Sequence, residues 1–384
     1  MTSGNGSTGI AILWPAGMVF LCAEAGGYLM PLLLGPVAAT YGIGEAAAGL
    51  VMAMQLGAFA IAAISFSPWL ATLSPRRGAG LGLAGIVVGD LLSAMQPAVW
   101  SLVVGRLFAG LGEGIAAAVA TAVIARTADP DRAFARVFIA VVLMSLAFFL
   151  LLPGVMTGQD ARLLFLGMAA LPLLALLAIA SLADNVEDAR SELSSARGGS
   201  LSLRAASLCA AIALFSVSAN SYWVYLERIA TNIGMTPAAY GRAFAIASIC
   251  ALTGPLAAER LGTRAGRLPP LALACVLLAG GGWIATHAAT HLALVFGITI
   301  SSAALLFGMP YLLGLAAEVD PTGRVAGASR GFNNIGSALA PALAGVVLGL
   351  TGAYTSIGWS AVVAATASLA LILGCARTAQ RNTG

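Results

Sequence analysis

No lysine occurs anywhere in the 384 residues, only two histidines do, and charged residues of every kind make up 9% of the chain. Each scarcity excludes a class of function. Without lysine there is no phosphate-binding loop of the Gly-x-x-x-x-Gly-Lys type, so ATP-driven work by that route is ruled out. His287 and His291 share one short connection, with no further metal ligands near them, so a metal centre is not expected. No His-x-x-x-x-Asp pair and no other convergent nucleophile and base are present, which leaves an embedded lipid-modifying enzyme a remote alternative. The five cysteines (Cys22, Cys209, Cys250, Cys275 and Cys375) sit in apolar runs without metal-ligand spacing and read as packing residues. The net charge of +4 rests wholly on scattered arginines, which argues against nucleic acid as a partner.

What is present is apolar. Hydrophobic residues make up 60% of the chain, and the mean hydropathy is +0.95. A soluble domain of that composition would lack the polar surface that keeps it dissolved. The stretch Val137–Leu152 carries no charge and approaches the length that spans a bilayer core. Hydrophobic helices are expected at about 10–38, 46–71, 78–95, 98–125, 133–153 and 162–183. A second set is expected at about 203–230, 238–258, 269–286, 292–317, 325–350 and 355–376. Between them, Asp184–Ser202 is polar and rich in serine, glycine and charge. The chain thus reads as a six-helix bundle over 1–183, a cytoplasmic linker over 184–202 and a second six-helix bundle over 203–384. The first apolar segment lacks a convincing cleavage site and is expected to be retained.

The two sets look like copies. Asp129-Pro130-Asp131-Arg132 and Asp320-Pro321-Thr322-Gly323-Arg324 place their leading aspartates 191 positions apart. Ser74-Pro75-Arg76-Arg77 is echoed by Gly262-Thr263-Arg264 at a similar displacement. Fused repeats of this kind are a common basis of transporter folds, with the substrate held where the repeats meet. With both termini inside, Arg162, Arg228 and Arg242 face outward, Arg106 and Arg330 lie within helices, and the other arginines fall on the cytoplasmic side. Trp69, Trp100, Trp283 and Trp359 fall near helix ends, where interfacial anchoring explains them.

Several segments resemble the major facilitator superfamily. Glu259-Arg260-Leu261-Gly262-Thr263-Arg264, after the eighth segment, resembles the family signature of an acidic residue, Arg, any residue, Gly, any residue and Arg. The resemblance implies a cytoplasmic latch of Glu259, Arg260, Gly262 and Arg264. The first-half copy keeps Arg76 and Arg77 but has lost the acidic residue and the glycine. Arg106-Leu107-Phe108-Ala109-Gly110-Leu111-Gly112 matches the family's Arg-x-x-x-Gly-x-Gly pattern, whose arginine is tied to coupling in proton-coupled members. Gly336 to Gly345, around Pro341, is faintly similar to a drug-antiporter signature that belongs on the fifth helix. Tyr222–Arg228 and Gly241-Arg242-Ala243 are similar to a subgroup of short bacterial permeases described as predicted efflux permeases. The fold implied is all-α, with twelve transmembrane helices in two pseudo-symmetric six-helix bundles.

An ionised side chain at mid-bilayer costs about 2.5–3.5 kcal/mol on insertion scales, so each one needs a reason. Glu24 precedes Gly26-Gly27 and Pro31, which let a helix open locally. It reads as a proton carrier or as a carboxyl held for packing. Asp90 and Arg106 flank the Gln96-Pro97 turn at matching depths, so an ion pair between them competes with a coupling role. Glu113, two turns after Arg106, has no obvious partner in the sequence and is the better proton site. Asn220, Trp223 and Glu227 recur at i, i+3 and i+7 as one polar and aromatic stripe on a single helix. Glu227 could instead pair with Arg228 or Arg242. Arg330, Asn333 and Asn334 cluster on the eleventh segment, where Arg330 could hold a carboxylate substrate, gate the site or form a structural pair. Tyr28 and Gln55 complete the substrate-binding set. Gly110-Leu111-Gly112-Glu113-Gly114 resembles a dinucleotide loop only in its glycines; inside an apolar helix it is a packing motif.

These features lead to one expectation. The chain is a secondary active transporter, monomeric and embedded in the bacterial inner membrane, without a cofactor, moving a small molecule with protons as coupling ion. Export of an amphipathic or drug-like compound is the first reading, and import of a small organic or aromatic acid is the alternative.

Overall fold

The computed structural model describes residues 5–95, 98–155, 160–179 and 202–381. Fourteen α-helices and no strands occur among them. They are α1 (Asn5–Tyr41), α2 (Glu45–Phe66), α3 (Pro75–Met95), α4 (Val99–Ala125), α5 (Pro130–Val155), α6 (Ala161–Ala178) and α7 (Leu203–Asn220). After a 3₁₀ turn at Trp223–Tyr225 follow α8 (Leu226–Asn232), α9 (Pro237–Ala251), α10 (Thr253–Leu261), α11 (Leu268–Thr286), α12 (His291–Val319), α13 (Arg324–Thr351) and α14 (Tyr354–Arg381). Of the proposed linker, all but Ser202 lies outside the described residues.

Helix is the only element that satisfies every backbone donor and acceptor within one apolar segment, which is why these runs adopt it. Eight of the described helical segments are long and apolar enough to cross a membrane. Their outward faces carry Leu50, Ile61 and Leu350, each more than 60% exposed, a surface that suits lipid rather than water.

Two expected segments are interrupted. Over 203–230 the helix stops at Asn220 and resumes only at Leu226. The residues between are Ser221-Tyr222-Trp223-Val224-Tyr225, a serine, three aromatics and a β-branched residue, all weak helix formers. The Tyr222 ring is pulled into the core, where its hydroxyl bonds Ser301 and its edge lies against Gly282. Over 238–258 the helix breaks at Leu252, just before Gly254-Pro255. Pro255 has no N–H to give the preceding turn.

Contacts divide the chain into two units, and the division exchanges two short pieces. Unit 1 comprises Met1–Ala128, Ala140–Ser200 and Asp320–Gly331; unit 2 comprises Asp129–Ile139, Leu201–Val319 and Phe332–Gly384. The exchanged pieces begin at the two aspartates that stand 191 positions apart in sequence. Both aspartates act at helix starts. Asp129 accepts from the Arg132 amide at 3.2 Å, and Asp320 accepts from the amides of Thr322 and Val325 at 3.0 and 3.1 Å.

In unit 1, α4 packs against α1, α2 and α3, and a core of Leu29, Leu33, Met52, Leu102 and Phe165 fills the space between helices. In unit 2, α11 packs against α12 and α14, around a core that includes Tyr222, Leu226, Leu294, Ile298 and Ile357. Each unit has a crossing in which a glycine on one helix faces a glycine on the next and lets the two backbones touch. A Cβ added to Gly105 would lie 2.6 Å from the Gly89 carbonyl oxygen, and one added to Gly297 would lie 2.8 Å from that of Gly281. These pairs are 192 positions apart, one more than the two aspartates, so the repeat is written into the packing as well as the loops.

Candidate functional site

Unit 1 gathers most of the intramembrane charge. Asp90 and Arg106 immediately follow Gly89 and Gly105, so the close crossing of α3 and α4 brings them together. Arg106 donates through Nη2 to Asp90 Oδ1 and through Nε to Ser93 Oγ at 3.0 Å; both ion-pair side chains are fully buried. The guanidinium also lies over the Phe165 ring, 4.3 Å from its centroid. In unit 2 the positions corresponding to Asp90 and Arg106 hold Gly282 and Ile298, so the same crossing carries no charge there.

A second ion pair lies on α1. Arg330, at the start of α13, donates through Nη2 to Glu24 and sits 5.1 Å from the centroid of the Phe20 ring. Glu24 is therefore not an unattached carboxyl, and Arg330 meets it through Nη2 while its Nε is buried without a hydrogen-bond partner. Tyr28 follows one turn later on α1 and is half-buried.

Glu113 does have a partner. Gln55 on α2 donates Nε2 to both carboxyl oxygens, at 2.9 and 3.0 Å. Both side chains are buried, and Gly26 of α1 lies against them, so that a Cβ there would collide with Glu113 and Gln55. The sequence offered no partner because Gln55 lies 58 positions away on another helix. Among the described intramembrane residues of unit 1, two carboxylates, Glu24 and Asp90, are paired with arginine, and Glu113 is met by a neutral amide.

In unit 2 the expected stripe is not one stripe. Asn220 ends α7, Trp223 lies in the 3₁₀ turn and Glu227 belongs to α8, so the i, i+3, i+7 register does not apply across the break. The Glu227 side chain lies outside the described residues. A different polar ladder forms instead between α7 and α13. Asn333 donates to Ser216 Oγ, Asn220 donates to the Ser216 carbonyl at 2.8 Å and to Ser337 Oγ at 3.2 Å, and Ser337 donates to the Asn333 carbonyl at 3.1 Å. Asn334 is half-buried beside it, and Trp223 is exposed.

The latch motif is asymmetric. Glu259 accepts from Nε and Nη2 of Arg136 on α5 at 3.2 and 3.1 Å, and its backbone carbonyl accepts from Arg132. Gly262 has φ +53° and ψ −142°, a conformation that only glycine adopts without strain, and the Arg132 guanidinium lies against it. Arg260 and Arg264 are exposed, as are Arg76 and Arg77 in the first-half copy. There the Arg77 amide donates to Ser74 Oγ, which caps α3.

Sequence reasoning missed a stronger cluster next to this motif. Arg267 donates to Asp131 from Nε at 3.0 and 3.1 Å and from Nη2 at 2.8 Å, and through Nη1 it meets Glu318, which Arg204 also approaches. Burial pushes the Asp131 carboxyl up, and the Arg267 guanidinium works against that push. In unit 1, Arg126 holds the Leu70 carbonyl at 2.9 Å and the Thr322 carbonyl. The only hint in the sequence is the density of charge around Asp129–Arg132; the partners lie more than 120 positions away.

The Major Facilitator Superfamily model matches residues 13–208. The chain belongs to that superfamily. No curated protein matches the chain. Among solved structures, the human organic anion transporter MFSD10 is 18% identical, with a TM-score of 0.75 over 94% of this chain and 99% of that one. The E. coli fucose:proton symporter FucP is 16% identical, with a TM-score of 0.76 over 94% and 98% of the two chains. A bacterial homologue of the iron transporter ferroportin is 13% identical, with a TM-score of 0.70 over 96% and 99%. At such identities the likeness is one of fold. Family and apolar helices together make the chain an integral membrane transporter.

Proposed function

We propose that the chain is a secondary active transporter working by alternating access, coupled to protons, and exporting a small amphipathic or drug-like molecule. Both termini and the 184–202 linker are cytoplasmic, the two six-helix halves are 1–183 and 203–384, and the protein acts as a monomer in the bacterial inner membrane. The positive-inside distribution of arginine supports this orientation.

One observation carries the choice of cargo. The two intramembrane arginines that a carboxylate substrate would need, Arg106 and Arg330, are both occupied by carboxylates of the protein. What unit 1 leaves without a cationic partner is an acid, Glu113. An acid so placed suits proton exchange and a neutral or cationic cargo better than an anionic one. Glu24, Glu113, Asp90 and Arg106 form the coupling set. Tyr28 in unit 1 and Asn220, Trp223, Asn333 and Asn334 in unit 2 are assigned to substrate contact, with Arg330 responding to substrate through Glu24. Glu259 with Arg136, and Gly262 with Arg132, form the inner latch.

Proteoliposomes with an imposed pH gradient test this reading. Efflux of cationic amphipathic dyes should follow the gradient and fall at least tenfold in Glu113→Gln. Flux that ignores the gradient and survives that substitution would sink proton coupling. Uptake of aromatic acids in preference to the dyes would return the importer.

A further inference from the structure

Glu113 and Gln55 form a contact whose donors and acceptors do not balance. The two Gln55 donors go to the two carboxyl oxygens of Glu113, while Gln55 Oε1 is buried and has no donor. An ionised carboxylate can only accept, so with Glu113 ionised the amide oxygen stays orphaned in an apolar interior. A protonated Glu113 removes the difficulty. Its hydroxyl donates to Gln55 Oε1, Gln55 Nε2 donates to its carbonyl oxygen, and a small rotation of either terminal group completes the ring of two bonds.

The surroundings favour the neutral acid. Glu113 and Gln55 are 2% and 1% exposed, and the backbone of α1 at Gly26 closes over the pair. The ionisable groups within electrostatic reach are Arg106 on the same helix, Asp90 on α3 and Glu24 on α1. Arg106 is matched in charge by Asp90 and Arg330 by Glu24, and the side chain that bonds the Glu113 carboxyl is Gln55. The α2 neighbour is the amide itself.

We propose that Glu113 is the proton-binding site of unit 1, held as a neutral acid in a reciprocal hydrogen-bonded pair with Gln55. Gln55 is then a positioning residue for the proton rather than a substrate ligand. Gly26 gives the pair its room: a side chain there would force α1 away from the acid. Proton loss breaks the Glu113-to-Gln55 bond and leaves a charge against the α1 backbone, two residues from Glu24. The inference deepens the proton-coupled reading and rests on it for its physiological meaning.

Infrared spectroscopy of the purified full-length protein, titrated with pH in H₂O and D₂O, tests the pair without substrate or gradient. The wild type should show a protonated carboxyl C=O band at neutral pH that shifts in D₂O and disappears in Glu113→Gln. In Gln55→Leu the band should move to the higher frequency of an unbonded acid. Gln55→Met serves the same purpose if the leucine variant does not fold. Absence of any band that Glu113→Gln removes, across the pH range where the protein is folded, would overturn the proposal, as would a band unmoved in both Gln55 variants. Because the band is read without transport, a failed pair leaves the transport assay to stand or fall alone. A band present with gradient-independent flux would sink coupling and keep the pair.

Discussion

Arg330 closes on Glu24 across 306 positions of sequence, joining α13 to α1 inside unit 1. The pair is almost fully removed from solvent, with side-chain exposures of 3% and 13%. A buried pair of this kind costs more to break on one side than to remove entirely, because a single deletion strands a charge.

Arg330→Ala is therefore expected to destabilise the protein by about 3–5 kcal/mol, and the double variant Glu24→Gln with Arg330→Gln by clearly less. Thermal unfolding of the purified variants in one detergent measures both. A double variant whose loss equals the sum of the losses in Glu24→Gln and Arg330→Gln alone would mean that the two side chains are not energetically coupled.

The latch and the cluster beside it should separate by burial. Arg136 and Glu259 are 53% and 29% exposed, so Glu259→Gln should cost no more than about 1 kcal/mol. Asp131 is 1% exposed and meets Arg267 through three contacts, so Asp131→Ala should cost about 3 kcal/mol or more. The same melting experiment ranks them, and a larger loss for Glu259→Gln would reverse the assignment of which contact holds the structure.

Glycine substitutions should sort by what a Cβ would meet. Gly89→Ala places a methyl 2.7 Å from the Ala109 Cα and should push α3 from α4, loosening the Asp90–Arg106 pair, at a cost of about 1–3 kcal/mol. Gly57→Ala, with nothing within 4 Å, should be neutral or slightly stabilising. Expression level and melting temperature of the two variants, compared side by side, decide the matter. A Gly89→Ala protein as stable as wild type would show that the crossing has slack.

Much of the fold was legible from residues alone. The apolar runs and the 191-position echo of Asp129 in Asp320 required only composition and spacing. The break at Tyr222–Tyr225 was misread, because an i, i+3, i+7 pattern looks the same whether the helix continues or a buried tyrosine interrupts it. Glu113 looked partnerless for a similar reason: its partner is an uncharged amide on another helix.

By itself, then, the sequence determined that this chain lives in a membrane, that its two sets of helices repeat, and which few charges enter the apolar runs. Those follow from transfer energies and periodicity, which are local properties of the residues. Which carboxylate meets which arginine, that Gln55 faces Glu113, and that Asp131 outranks Glu259 were decided only by the tertiary structure. A hydrogen bond or ion pair depends on distances of a few ångströms between side chains tens or hundreds of positions apart, and close glycine crossings such as Gly89 on Gly105 set those distances.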